Sequence, residues 1–219
     1  RWGGCTAVKP PERYGDIHSL NQFLFEMNEK GFLACYNHPY WSLQNYTDYK
    51  DLCGVFAMEI YNHGCELDGL YGYHPQAYDE MLRAGTRLFC VATDDNHDCY
   101  APGDPRCDSF GGWTMLKLDK LDYASVIKGL RKGNFYCSTG PALEELYIQD
   151  NALHIKCSPV EKIYVITEGR RCMMKLAEPG QTVSEAVFPL RGDEGYVRVD
   201  CRDAHGCHAY SNAYFLDTL

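Results

Sequence analysis

Apolar residues in the first part of the chain recur in two alternating rhythms. In "DIHSLNQFLFEMNEKG", Ile17, Leu20, Leu24 and Met27 lie at helical spacing, with Asp16 or Ser19 placed to cap the helix and Gly31 to close it. The short apolar run "FLACY" follows and predicts a strand, "VFAMEI" a second, and "RLFCVAT" a third. Between the last two, "HPQAYDEMLRAG" predicts a helix with Pro75 in its first turn. The same alternation continues with "WTMLKLD" as strand, "DYASVIKGLRKG" as a helix capped by Asp122 and ended by Gly133, and "NFYCS" as strand. Strands and helices in turn are the pattern of βα units around a parallel sheet.

After "STGP" (Ser138 to Pro141) the helical spacing stops. Short alternating segments separated by turn residues take over, from "LEELYIQ" through "ALHIKC", "KIYVITEG", "RCMMKL", "SEAVFPL" and "GYVRVDC" to "AYSNAYFL". They predict a small β-sandwich, immunoglobulin-like, over 142–219, after an α/β part over 1–141.

Composition narrows the functions open to such a chain. The formal charge of −9, with no basic cluster larger than Arg131-Lys132 or Arg170-Arg171, argues against a nucleic-acid surface and suits a bound cation. No stretch has the length of a membrane span, and the opening "RWGGCTAVKPPERYG" has neither an apolar core nor a basic leader; the cytoplasmic setting expected here follows instead from the thiol content below, since a signal peptide would lie ahead of Arg1. The 12 cysteines include no C-x-x-C pair, which disfavours a structural zinc site. Free thiols in a reducing compartment are the expectation, with Cys99–Cys107 and Cys201–Cys207 as the alternative pairs in a secreted protein.

The polar residues at the strand ends carry the candidate chemistry, because in parallel α/β sheets ligands gather beyond the carboxyl ends of the strands. "FLACY" runs into Asn37-His38-Pro39, "VFAMEI" contains Glu59 and leads to Asn62, and "RLFCVAT" leads to Asp94-Asp95-Asn96-His97. Each alone has a plain structural reading: a loop histidine, a paired buried carboxylate, an Asx turn. Together, imidazoles and carboxylates delivered at one end of neighbouring strands are suited to divalent metal. His63 and His74 flank a Gly-rich loop that reads equally as a pocket lining and as a solvated connection, and His18, His154, His205 and His208 are assigned no chemistry. Tyr164, Tyr196, Tyr210 and Tyr214 offer a weaker reading, carbohydrate stacking on the sandwich.

The ordered series "NHPYWS", "MEIYNHG", "YDEMLRAGTRLFCVATDDNHD", "GGWTMLKL" and "LRKGNFYCSTGP" resembles the carboxyl half of the PHP (polymerase and histidinol phosphatase) superfamily, in its CehA/McbA-like branch, over residues 16–141. The resemblance implies a distorted βα barrel that holds zinc, manganese or iron and hydrolyses a phosphoester small molecule. Position by position, it implies that His38, Asp95 and His97 are metal ligands and that Glu59 and Asn62 border the site as catalytic-motif residues. The family's opening H-x-H motif and the ligands that follow it have no counterpart before His38. The expected fold is therefore a partial barrel lacking its amino-terminal strands, and the expected function is a metal-dependent phosphoesterase incomplete in this chain. An upstream segment or another chain would then complete the site. The alternative is a reduced, non-catalytic relative that binds or self-associates through the open barrel edge.

Overall fold

The structure, a computed structural model, describes residues 16–218; the opening segment read above as leaderless lies outside the described residues. The chain divides into two compact units, Arg1–Gly111 and Gly112–Leu219, whereas the sequence pattern placed the change of architecture at 141/142.

In the first unit, α1 (Ile17–Glu29) begins where Asp16 accepts a hydrogen bond from the Ser19 amide at 2.9 Å, and Met27 is its buried residue. The strands β1 (Cys35–Tyr36), β2 (Ala57–Asn62) and β3 (Phe89–Thr93) form one parallel sheet in the order β1-β2-β3. β2 is central and buried along its whole length, which is why "AMEIYN" reads as a continuous apolar run broken only by Glu59 and Asn62. α4 (Pro75–Arg83) starts with Pro75 at its first position and buries Ala77, Tyr78, Met81 and Leu82. Two short helices unforeseen from periodicity, α2 (Tyr46–Tyr49) and α3 (His63–Leu67), occupy the loops after β1 and β2. Both are started by asparagine caps, Asn45 and Asn62.

The parallel register of β2 on β3 slips between Glu59 and Tyr61, so Ile60 is an extra residue. In a regular strand, residues three apart point to opposite faces. The bulge removes that alternation and brings the side chains of Glu59 and Asn62 within 3.0 Å of each other.

The second unit is a sandwich of two antiparallel sheets. β4 (Trp113–Leu116) and β5 (Phe135–Ser138), with α5 (Tyr123–Lys132) between them, join β8 (Lys162–Thr167), β9 (Met173–Leu176), β11 (Tyr196–Arg202) and β12 (His208–Ser211) in the order β4-β5-β12-β11-β8-β9. β13 (Tyr214–Phe215) pairs with β11. The other sheet is β10 (Val183–Pro189), β7 (Ala152–Val160) and β6 (Leu143–Gln149). Leu153, Ile155 and Phe188 from one sheet and Ile163, Val165, Val197 and Val199 from the other fill the space between them. Each fully buried side chain of this size contributes about 1.5–3 kcal/mol.

This architecture corrects the expected partial βα barrel. Among the described residues only three strands are parallel, no barrel closes, and the other ten strands of thirteen lie in antiparallel sheets. β4, α5 and β5 have the spacing of a βα unit, and Asp122 and Gly133 cap α5 as expected, but Trp113 pairs with Ser138 and Leu116 with Phe135 in antiparallel register. Hydrophobic periodicity reports that a strand is buried; it does not report the direction of its partner. No described helix is long and apolar enough to cross a membrane.

Candidate functional site

The carboxyl ends of β1, β2 and β3 are tied by one carboxylate. Glu59 is 2% exposed. Its Oε2 accepts the backbone N–H of His38 at 2.9 Å and the side-chain amide of Asn62 at 3.0 Å, and its Oε1 accepts the hydroxyl of Thr93 at 2.8 Å. One group from each strand end therefore meets Glu59. Burial pushes the Glu59 carboxyl above the ordinary glutamate range, against the lowering effect of the Asn62 and Thr93 hydrogen bonds and of His38. Asn62 is saturated as well: its amide also reaches Asp95 Oδ2 at 3.3 Å, and its Oδ1 accepts the Cys65 N–H at the start of α3.

Beyond this tie lies a cleft of about 690 Å³ lined by His38, Asp95 and His97, with Asn37, Asp68, Arg106 and Asp108 among the other lining residues. The three ligands implied by the resemblance thus line one cavity. Glu59 and Asn62 are not among the lining residues and reach it through His38 and Asp95.

Both histidines are held by one ring nitrogen. His97 Nδ1 lies 2.5 Å from the Asp95 carbonyl, and because a carbonyl only accepts, that nitrogen carries the proton. Its Nε2 then presents a lone pair. His38 Nδ1 lies 2.9 Å from the Ser42 hydroxyl, and the ring packs edge-on against Trp41 at 5.2 Å. An imidazole anchored at Nδ1 by an oxygen is the usual support of a metal-ligating histidine. The backbone is contorted at the same points: His38 has φ 34° and Asp95 φ 51°, left-handed values uncommon outside glycine and frequent at functional sites.

The neighbouring acids are divided by role. Asp94 spends its carboxylate on the Phe110 and Gly111 amides, at 2.6 and 2.8 Å, and so folds the loop after β3 back on itself. That return brings Asp108 against His97, whose backbone N–H donates to Asp108 Oδ2 at 2.7 Å. Asp68 accepts from the Trp41 indole at 2.9 Å. Arg106 forks onto Asp104 at 2.9 and 2.8 Å and stacks on Tyr100 at 4.1 Å, holding the Asp104 carboxyl down to about 2.

The sequence reading missed Asn37 and Asp108 as lining residues. Asn37 stood beside His38 in the quoted segment, whereas Asp108 is eleven residues from His97 in a loop without periodicity, and nothing local marks it. His74, beside the loop that read equally as a pocket lining and as a solvated connection, is not among the residues lining the cleft and is 3% exposed, with both ring nitrogens buried and unpartnered. Burial first, and repulsion from His38 second, lower its pKa to about 4.

The donors suit a divalent cation in kind: two anchored imidazoles, the Asp95 carboxylate, and buried oxygens of Asn37 and Asp108 with no protein donor. Their spacing is open, and among the described residues no three His, Cys, Asp or Glu side chains stand close enough together to share one ion. Of the four tyrosines in the weaker carbohydrate reading, Tyr196 and Tyr210 are 0% and 1% exposed and offer no ring face to a ligand, while Tyr164 and Tyr214 are half-buried. Comparison with protein-family models, with curated proteins and with solved structures finds no match to this chain.

Proposed function

We propose that the cleft binds a divalent metal, zinc, manganese or iron, and that the protein is a metal-dependent phosphoesterase related to the PHP superfamily. The observation that carries the reading is that His38 and His97, each anchored at Nδ1, line the same cleft as Asp95 at the carboxyl ends of adjacent parallel strands. His38, Asp95 and His97, which do not stand close enough together in this structure to share one ion, would have to close on it. Once bound, it supplies a water of lowered pKa and offsets the charge that develops on phosphoryl oxygens. Glu59 holds His38 and Thr93 in register, and Asn62 orients the Asp95 carboxylate. Arg106, at the cleft wall, is the one lysine or arginine among the lining residues and is placed to attract an anionic substrate.

The test is hydrolysis of p-nitrophenyl phosphate and its bis ester by the full protein in added manganese, zinc or iron(II). Metal-dependent turnover is expected, lowered about 100-fold or more by His97→Ala, the upper range for a disturbed metal site. Absence of hydrolysis with every metal would refute it.

A second reading, a non-catalytic assembly module, is favoured by the edge of the parallel sheet, where β1 pairs only with β2 among the described residues. Sedimentation analysis showing a monomer at micromolar concentration would exclude it.

A further inference from the structure

The two sheets of the second unit meet at a pair of cysteines. In β7 the side chains of Leu153, Ile155 and Cys157 alternate into the core, and in β11 those of Val197, Val199 and Cys201 do the same. The third inward position of each row is therefore a cysteine, 2% exposed in β7 and 0% in β11. Across the gap the two strands approach to within 8 Å at Cα, closer than the roughly 10 Å usual between stacked sheets. Small side chains permit this, since Cys201 stands opposite Ala209 within its own sheet. The two thiols are joined by a hydrogen bond.

The register also rules on the pairing of Cys201 with Cys207. In that hairpin Cys207 stands opposite Asp203, whose N–H donates to the Cys207 carbonyl, and its side chain packs against Gly140 and the Thr139 hydroxyl. Cys201 faces Cys157 instead. Buried thiols that served only as small hydrophobes could be replaced by alanine or valine; two cysteines facing each other from opposite sheets add a bond that those residues cannot form.

We propose that Cys157 and Cys201 are a redox pair, which a low-molecular-weight disulfide such as oxidised glutathione converts into a covalent staple between the two sheets. The Cys157 sulfur attacks one sulfur of the glutathione disulfide, releasing one glutathione and leaving a mixed disulfide. The Cys201 sulfur then attacks the Cys157 sulfur and releases the second glutathione. Two protein thiols are oxidised, one disulfide is reduced to two thiols, and the two protein protons end on the two glutathiones. The order follows from the hydrogen bond: donation from Cys201 lowers the Cys157 pKa, and the same bond, with burial, raises that of Cys201. Because both sulfurs are buried, exchange requires opening of the sandwich, and the finished bond is shielded from reducing thiols.

The experiment exposes the full protein to oxidised glutathione in urea below its unfolding midpoint, blocks remaining thiols with N-ethylmaleimide, and maps tryptic peptides by mass spectrometry without reduction. "CSPVEK" joined to "VDCR" should be the principal product containing either cysteine. The oxidised protein should melt about 10 °C or more above the reduced one, and the Cys157→Ala/Cys201→Ala double variant should show no gain on oxidation. Alkylated or glutathionylated "CSPVEK" and "VDCR" as the main species, or "VDCR" joined to the peptide of Cys207, would overturn the pairing. So would a gain in melting temperature that the double variant retains; if that variant does not fold, the peptide map of the wild type decides alone.

Discussion

Replacing Glu59 separates two reasons for keeping a carboxylate inside a parallel sheet. In Glu59→Ala the His38 amide, the Asn62 side chain and the Thr93 hydroxyl all lose an acceptor at 2.8–3.0 Å. A desolvated donor left unpaired costs about 1–3 kcal/mol, but Asn62 keeps its longer bond to Asp95 and the cost of burying a carboxylate is removed. The net loss should be about 3–5 kcal/mol, as for breaking a buried charged network. In Glu59→Gln the amide oxygen can take the place of Oε2 and accept from His38 and Asn62, while the new NH₂ donates to the Thr93 hydroxyl, whose proton rotates away. All three contacts survive in neutral form, and relief of burying a charge offsets their weakening, so the loss should stay below about 2 kcal/mol. Urea denaturation with an unchanged m value provides the comparison. Equal losses for the two variants would mean that charge, not hydrogen bonding, holds the strand ends; a Glu59→Ala loss under about 1 kcal/mol would mean that nothing is held there.

Three further outcomes follow from the burial of His74, the packing at Gly72 and the placement of the cysteines. His74, lowered from 6.5 to about 4 by burial, takes up its proton more readily unfolded than folded, so its contribution is full above pH 6.5 and is lost as pH falls toward 4. The span amounts to about 3 kcal/mol at most, and His74→Gln should flatten the stability curve across that window; an unchanged curve would contradict the assignment. A Cβ at Gly72 would lie 2.6 Å from the Asn62 carbonyl and 2.5 Å from Glu66 Cβ, so Gly72→Ala should cost about 1–3 kcal/mol, and a calorimetric melting temperature within one degree of wild type would argue against this close approach. Of the described cysteines, Cys53, Cys99 and Cys172 are exposed and Cys65, Cys90, Cys137, Cys157 and Cys201 are buried. Maleimide labelling of the native protein, mapped by mass spectrometry, should modify the first group and spare the second until denaturant is added; early labelling of Cys157 or Cys201 would contradict the sandwich core.

The features legible in the sequence are those decided within one element. Asp16 and Asp122 cap their helices, Pro75 opens α4, and Gly133 ends α5 in the left-handed conformation at φ 69°, because caps depend on a few neighbouring residues. The polar endings of the strands were legible for a similar reason: Asn37-His38 and Asp95-His97 follow directly from apolar runs whose burial fixes where they stop. What depends on a partner was not legible. "WTMLKLD" and "NFYCS" have the same pattern whether they run parallel or antiparallel, and the pairing of Ser138 with Ala209 depends on residues 71 positions later.

The roles of the carboxylates turn on that same distinction. From sequence, Glu59 stands out as an acid inside an apolar strand, open equally to a structural and a site role, and Asp108 looks like nothing in particular. In the fold, the single extra residue at Ile60 rotates Asn62 onto the face of Glu59, and the three strand ends then saturate the Glu59 carboxylate with donors. Asp94 does the opposite for Asp108, binding the Phe110 and Gly111 amides so that the loop returns and leaves one oxygen of Asp108 buried without a donor. A carboxylate filled by its own fold has little capacity left for a ligand, and one held in place but half empty has much. Unmet hydrogen-bonding capacity, more than the presence of an acid in a strand, is therefore what separates Asp108 from Glu59.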